Sequence, residues 1–138
     1  MERPSRDQVN MEIAFTMSGR STCMRKQVGV VIVKDNRIIA TGYNGVASGR
    51  PHCTECEGPG CSNSMHAEAG VISFCAKHGI ALKDSTMYVT MNPCEACANL
   101  IINSGIKEVV FLEQYRYSIG IQLLESSGIK VRRPEQCK

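Results

Sequence analysis

Two short segments, His66-Ala67-Glu68 and Pro93-Cys94-Glu95-Ala96-Cys97, constrain this chain more than any other feature. Cysteines three apart lie on one face of a helix, where residues i and i+3 are neighbours. Joined by a histidine, they fill three corners of a zinc tetrahedron and leave the fourth open for water. Glu68 stands two residues past His66, roughly 200° around a helix, which makes it a poor fourth ligand. Its side chain is long enough to reach the bound water from the side instead. The alternative, a closed structural zinc knot, leaves that glutamate without a task.

The rest of the chain is compatible with such a site. Its 138 residues suffice for one domain, residues 1–138, whose core needs no staples. Hydrophobic residues at 43% and charged residues at 21% describe a folded globular chain. The formal net charge of +3 suits a small anionic ligand and falls short of the basic stripe of a nucleic-acid binder. No uncharged apolar run is long enough to span a membrane, and Met1-Glu2-Arg3-Pro4 lacks the apolar segment of a secretory signal. A cytoplasmic, reducing location is expected, so the eight cysteines read as ligands or core residues ahead of disulfides.

Taken in order, Ser5 and Gln8 form a capping box that opens a first helix, with Val9, Ile13 and Met17 as its buried stripe and Gly19 as its stop. Ser21 to Gln27 reads as a loop. Val28–Val33 and Arg37–Thr41 are strands joined by a Lys34-Asp35-Asn36 hairpin turn, and their near-continuous apolar character predicts a sheet covered on both faces. Gly42-Tyr43-Asn44-Gly45 opens an irregular stretch lasting to about Asn63, long enough to need a metal or similar device to order it. A helix capped by Asn63 or Ser64 runs to Lys77 and stops at Gly79. Thr86–Met91 is a strand; Asn92 caps the next helix, with Pro93 in its first turn and Glu95 completing the box, and Gly105 ends it. Glu108–Leu112 is a strand, Ser118–Ser126 a helix stopped by Gly128, and Ile129–Arg132 a last strand. Strand–helix alternation in this half implies parallel pairing, so a five-stranded mixed sheet with helices on both faces is expected. His66 and Cys94 then both fall in the first turn of a helix, where the positive end of the helix dipole favours thiolate.

The order H-x-E followed by P-C-x-x-C is that of zinc deaminases, in which the glutamate shuttles protons and does not bind the metal. The chain resembles the zinc-dependent cytidine/deoxycytidylate deaminase family over nearly its whole length, through Val28-Gly29-Val30-Val31-Ile32, Gly42-Tyr43-Asn44-Gly45, His66-Ala67-Glu68, Tyr88-Val89-Thr90 and Pro93-Cys94-Glu95-Ala96-Cys97. The zinc motif identifies the superfamily; the Gly-Tyr-Asn-Gly loop and the cysteine-rich insert before the histidine narrow it to the deoxycytidylate branch. The resemblance implies a three-layer α/β/α sandwich and hydrolysis of dCMP to dUMP and ammonia, which feeds dTMP synthesis. It implies His66, Cys94 and Cys97 as ligands of a catalytic Zn2+ and Glu68 as general acid/base. Asn44 would bond the deoxyribose, Tyr115 would lie against the pyrimidine, Arg25 with Lys26 would meet the 5′-phosphate, and Ala67 would line the site. Asn44 also reads simply as a turn residue, Tyr115 as a half-buried aromatic, and Arg25-Lys26 as a solvated pair. Relatives of this branch are typically homohexamers activated by dCTP and inhibited by dTTP, with Mg2+ accompanying the triphosphate and Gly42, Tyr43, Asn44 and Gly45 at the effector site. Here Ala47 stands where the family commonly has a proline.

Members of the family often hold a second, structural zinc near this insert. The expectation here is a closed site of Cys23, Cys53, Cys56 and Cys61, with His52 able to replace one of them; a loop of unpaired thiols is the alternative. Cys75 and Cys137 receive no role. Two rival functions remain. A deaminase of free nucleosides or of a base in RNA would share the motif, although four Tyr, three Phe and no Trp offer an RNA little to stack on. A zinc-stabilised nucleic-acid-binding module would bind in a salt-sensitive way and have no need of Glu68.

Overall fold

A computed structural model describes residues 2–23, 26–52, 64–114 and 118–135. The elements run α1 (Arg6–Ser18), β1 (Gly29–Lys34), β2 (Arg37–Tyr43), α2 (Ala67–His78), β3 (Thr86–Met91), α3 (Glu95–Ser104), β4 (Glu108–Glu113), α4 (Ile119–Ser126) and β5 (Lys130–Arg132). The strands form one mixed sheet in the order β2-β1-β3-β4-β5. β1 pairs antiparallel with both β2 and β3, while β3-β4 and β4-β5 are parallel, joined through α3 and α4. Asp35 and Asn36 make the hairpin turn with φ of 53° and 62°, the two positive values a two-residue turn between twisted strands requires.

Side-chain alternation divides the core into two layers. Val30 and Ile32, Met87 and Val89, and Val109 and Phe111 point to the face covered by α2, α3 and α4, where they meet Val71, Ile101 and Leu124. Val31, Val33, Tyr88 and Val110 point the other way, onto Met11 and Ala14 of α1. Ile101 and Leu124 are wholly buried, and each such side chain contributes about 1.5–3 kcal/mol of hydrophobic stabilisation. Gly29 lets α1 lie directly on β1: a Cβ there would stand 1.8 Å from the Ala14 carbonyl oxygen. The mixed α/β/α sandwich expected from the sequence is the architecture observed.

Several local expectations are corrected. The Ser5–Gln8 capping box is present, but the buried stripe of α1 is Asp7, Asn10, Met11, Ala14 and Ser18, while Val9 is exposed. Asp7 and Asn10 occupy that stripe because they face a polar cluster, described below, at the end of the sheet, whereas Ser18 turns its hydroxyl onto the Phe15 carbonyl. β1 is covered on both faces, whereas β2 is an edge strand with Arg37, Ile38 and Thr41 exposed. β2 continues through Gly42 and Tyr43, because Gly42 fits beneath α2 with its would-be Cβ 3.1 Å from the Val71 Cβ. The helix before Gly79 begins at Ala67 with His66 as its N-cap, and the helix after β3 begins at Glu95 with Cys94 as its N-cap. Asn92 and Pro93 therefore precede the helix and do not cap it. Asn92 N–H instead donates to the Glu113 carbonyl at 3.0 Å, prolonging the β3-β4 pairing.

The polar cluster fastens the two ends of the chain together. The buried Asp7 carboxylate accepts from Tyr88 Oη at 2.6 Å, from Arg132 Nη1 at 2.5 Å and Nη2 at 3.1 Å, and from Glu135 N at 2.7 Å. Arg132 Nε also donates to Glu108 Oε2 at 3.0 Å. Burial alone would raise the Asp7 pKa, but Arg132, the Glu135 amide and Tyr88 outweigh it and hold the carboxyl at about 2. Among the described residues no helix is long and apolar enough to cross a membrane.

Candidate active site

The metal-binding residues come together at the carboxyl end of β3, where the first turns of α2 and α3 converge. His66 and Cys94 are not in those turns but one position ahead, in extended backbone with φ/ψ of −64°/149° and −77°/174°. An N-cap position suits this work better than a first-turn position. At Cys94 the side chain folds back over the free helix amides and its sulfur accepts from Cys97 N at 3.5 Å, whereas the His66 side chain makes no such cap. Helix dipole and N–H donors thereby both favour a thiolate at Cys94. His66 is fixed from behind by a two-residue bridge, Gly45 N to Met65 O at 3.1 Å and Met65 N to Gly45 O at 2.7 Å. That bridge also joins the segment that follows β2 to the one that leads into α2. A Cβ at Gly45 would stand 2.5 Å from Thr22 Oγ1, so the Thr22 side chain would have to shift.

His66 Nδ1 lies 3.4 Å from Cys94 Sγ and 3.5 Å from Cys97 Sγ, and the three ligand atoms lie within 4.8 Å of one another. Zinc bonds of about 2.3 Å to sulfur and 2.0–2.1 Å to nitrogen give tetrahedral N···S edges of about 3.6 Å. The donor set therefore fits zinc in both chemistry and spacing. Hydrogen bonding to Cys94 raises the His66 pKa. The Cys94 thiol is pulled down by its hydrogen bonds with Cys97 and His66, and Cys97, buried beside Cys94, is pushed up.

Glu68, in the first turn of α2, is 4% exposed, and burial pushes its carboxyl up to about 7. A carboxyl near neutrality beside a metal triangle is suited to passing protons in both directions. It opens on a narrow cleft of about 80 Å³ lined by Lys26, Val28, Asn44, His66, Ala67, Glu68, Met91, Asn92 and Cys94. Asn44 is more than a turn residue. Its Oδ1 accepts from Val28 N at 2.8 Å and its Nδ2 donates to Lys26 O at 2.7 Å, so it ties the segment entering β1 to the cleft wall. One amide N–H remains for a ligand. Lys26 is exposed at the rim. Met91 and Asn92 line the cleft without having been singled out by sequence; Asn92 was obscured because it reads so well as a helix cap.

Arg25, Tyr115, Cys53, Cys56 and Cys61 lie outside the described residues. Of the second cluster, Cys23 is buried and free, with its N–H donating to Ser21 Oγ, and His52 is exposed. Among the described residues His66, Cys94 and Cys97 are the group of metal-ligating side chains. Cys75 is buried in α2, and burial raises its thiol pKa, the behaviour of a core residue. A larger concavity of about 840 Å³ lies at the opposite pole, around Asp7, Arg132 and Glu108. Its basic and acidic side chains balance in number, and among the described residues it holds no group of metal-ligating side chains. Size does not locate the chemistry here.

Residues 4–113 match the family described as the cytidine and deoxycytidylate deaminase zinc-binding region. The chain belongs to this family of zinc-dependent deaminases and is closely related to known deoxycytidylate deaminases. It is 39% identical over 126 residues to the deoxycytidylate deaminase of Mycobacterium phage D29, covering 80% of this chain and 97% of that protein. It is also 39% identical over 141 residues to ComE operon protein 2 of Bacillus subtilis (strain 168), covering 98% and 74%. The crystal structure of dCMP deaminase from the cyanophage S-TIM5 in complex with dCMP and dUMP superposes with a TM-score of 0.88 at 32% identity, covering 96% of this chain and 99% of that one.

Proposed function

We propose that this enzyme hydrolyses the exocyclic amine of dCMP, giving dUMP and ammonia. The observation that carries the reading is the His66–Cys94–Cys97 triangle with a buried carboxyl, Glu68, facing the same narrow cleft. These three side chains would hold zinc, which would supply a hydroxide nucleophile near neutral pH. Glu68 takes up the proton released as that nucleophile forms and delivers it to the ring nitrogen N3. It then takes the proton of the new C4 hydroxyl and hands it to the amine, so that C4=O forms as the C4–N bond breaks and ammonia leaves. Positioned proton transfer of this kind contributes about 10²–10⁴-fold. Asn44 spends its remaining N–H on the deoxyribose, and Ala67 lines the cleft wall. Lys26, with Arg25, meets the 5′-phosphate, and Tyr115 covers the pyrimidine.

The same reading includes a second, structural zinc on Cys23, Cys53, Cys56 and Cys61, a homohexamer, and control by dCTP with Mg2+ and by dTTP at Gly42–Gly45. The close contacts made by Gly42 and Gly45 give that segment a structural task in addition. A reducing cytoplasm, which would keep the cysteines as thiols available to metal, belongs to the same reading.

Ultraviolet assay of cytidine, deoxycytidine, CMP, dCMP and dCTP, with and without dCTP or dTTP, tests the substrate. Preferential turnover of dCMP is expected. Equal turnover of deoxycytidine would remove the phosphate role of Lys26 and Arg25. Metal analysis should find two zincs per chain; one would end the structural-site proposal.

A further inference from the structure

The metal-ligating segment is gripped from behind by the first turn of α4. Ser118, 8% exposed, is the N-cap of that helix: its Oγ accepts from Ile121 N at 3.0 Å. The same hydroxyl donates to the Pro93 carbonyl oxygen at 3.2 Å, one residue before the Cys94 ligand. Two positions on, Gly120 lies so close to this segment that a Cβ would stand 2.2 Å from Pro93 O and 2.9 Å from Cys94 O. Pro93 itself is fully buried. Neither residue lines the cleft or carries metal-binding chemistry.

The geometry points to Ser118 and Gly120 as positioning residues that seat the Pro93-Cys94 peptide and so aim the Cys94 sulfur at the metal. The inference rests on the zinc reading above. His66 is held by the Gly45–Met65 bridge, and Cys97 lies within α3, in the first turn. Cys94 is an exposed side chain on the peptide between a strand and a helix, and the Ser118 hydroxyl ties that peptide to a third element. A ligand atom must be held to within a few tenths of an ångström, and groups that orient metal ligands typically carry about 10–100-fold of metal affinity.

Two functions of Ser118 separate by substitution. Ser118→Asp keeps an oxygen to accept from Ile121 N and cap α4 but has no proton for Pro93 O. Ser118→Ala loses both, and Ser118→Thr retains both. Ser5→Ala removes the equivalent cap from α1, remote from the site. The zinc-loaded full-length chain is titrated with a chromophoric chelator, and the catalytic-site signal is the zinc missing from Cys97→Ser. Zinc binding about 10–100-fold weaker in both Ser118→Asp and Ser118→Ala, with Ser118→Thr and Ser5→Ala at the wild-type value, is the expected result. Wild-type affinity in Ser118→Asp or Ser118→Ala overturns the proposal, as does equal weakening in Ser5→Ala, which would trace the loss to general stability. A wild-type chain that holds no more zinc than Cys97→Ser refutes the underlying zinc reading instead.

Discussion

Replacing Asp7 with asparagine removes the charge on which the amino- and carboxyl-terminal parts of the chain are fastened. Its carboxyl, ordinarily at 3.8, is held at about 2 in the folded protein despite burial that opposes ionisation. The difference is worth about 2 kcal/mol at about 1.4 kcal/mol per pH unit. Because the folded pKa is the lower one, the unfolded chain binds more protons in this range. The stabilisation is complete above about pH 5, about half lost at pH 3, and gone below pH 2. Asparagine also turns one acceptor end into a donor that faces either Arg132 Nη1 and Glu135 N or Tyr88 Oη and Arg132 Nη2. The total cost at pH 7 is then about 2–4 kcal/mol. Urea unfolding of both proteins, followed by circular dichroism at pH 7, 5 and 3, measures it. The gap should be nearly equal at pH 7 and 5 and narrow by about 1 kcal/mol at pH 3. A gap below about 1 kcal/mol at pH 7, or one independent of pH, would show that the cluster is a crystal of compensating charges with no net stabilising role.

Glu68→Ala should keep the fold and its zinc yet lose about 10²–10⁴-fold in kcat; activity within tenfold of wild type would exclude Glu68 as the proton shuttle. Gly29→Ala forces a Cβ against the Ala14 carbonyl and should cost about 3 kcal/mol in urea unfolding, the upper end for overpacking, with α1 lifted from β1. A loss under 1 kcal/mol would mean that the helix rides out of contact freely.

Much of this protein is legible locally. Strand and helix positions follow from periodicity, and their ends from Ser5, Gly79 and Gly105, because caps and turns depend on a few neighbouring residues. The His-x-Glu and Cys-x-x-Cys spacings likewise mark candidate metal ligands and a candidate proton carrier, since each pairing is a property of one short segment. What the tertiary structure decided is how those segments are aimed. Asp7 and Asn10 lie on the buried stripe of α1 because Arg132 and Tyr88, more than 75 residues away, supply partners there. His66 and Cys94 become N-caps because a β-bridge at Gly45 and the seat at Ser118 fix the backbone just ahead of each helix. Asn44 serves both strand and cleft because β2 returns it beside Val28. Pattern determines which side chains can do the chemistry; the packing of distant backbone decides which of them meet.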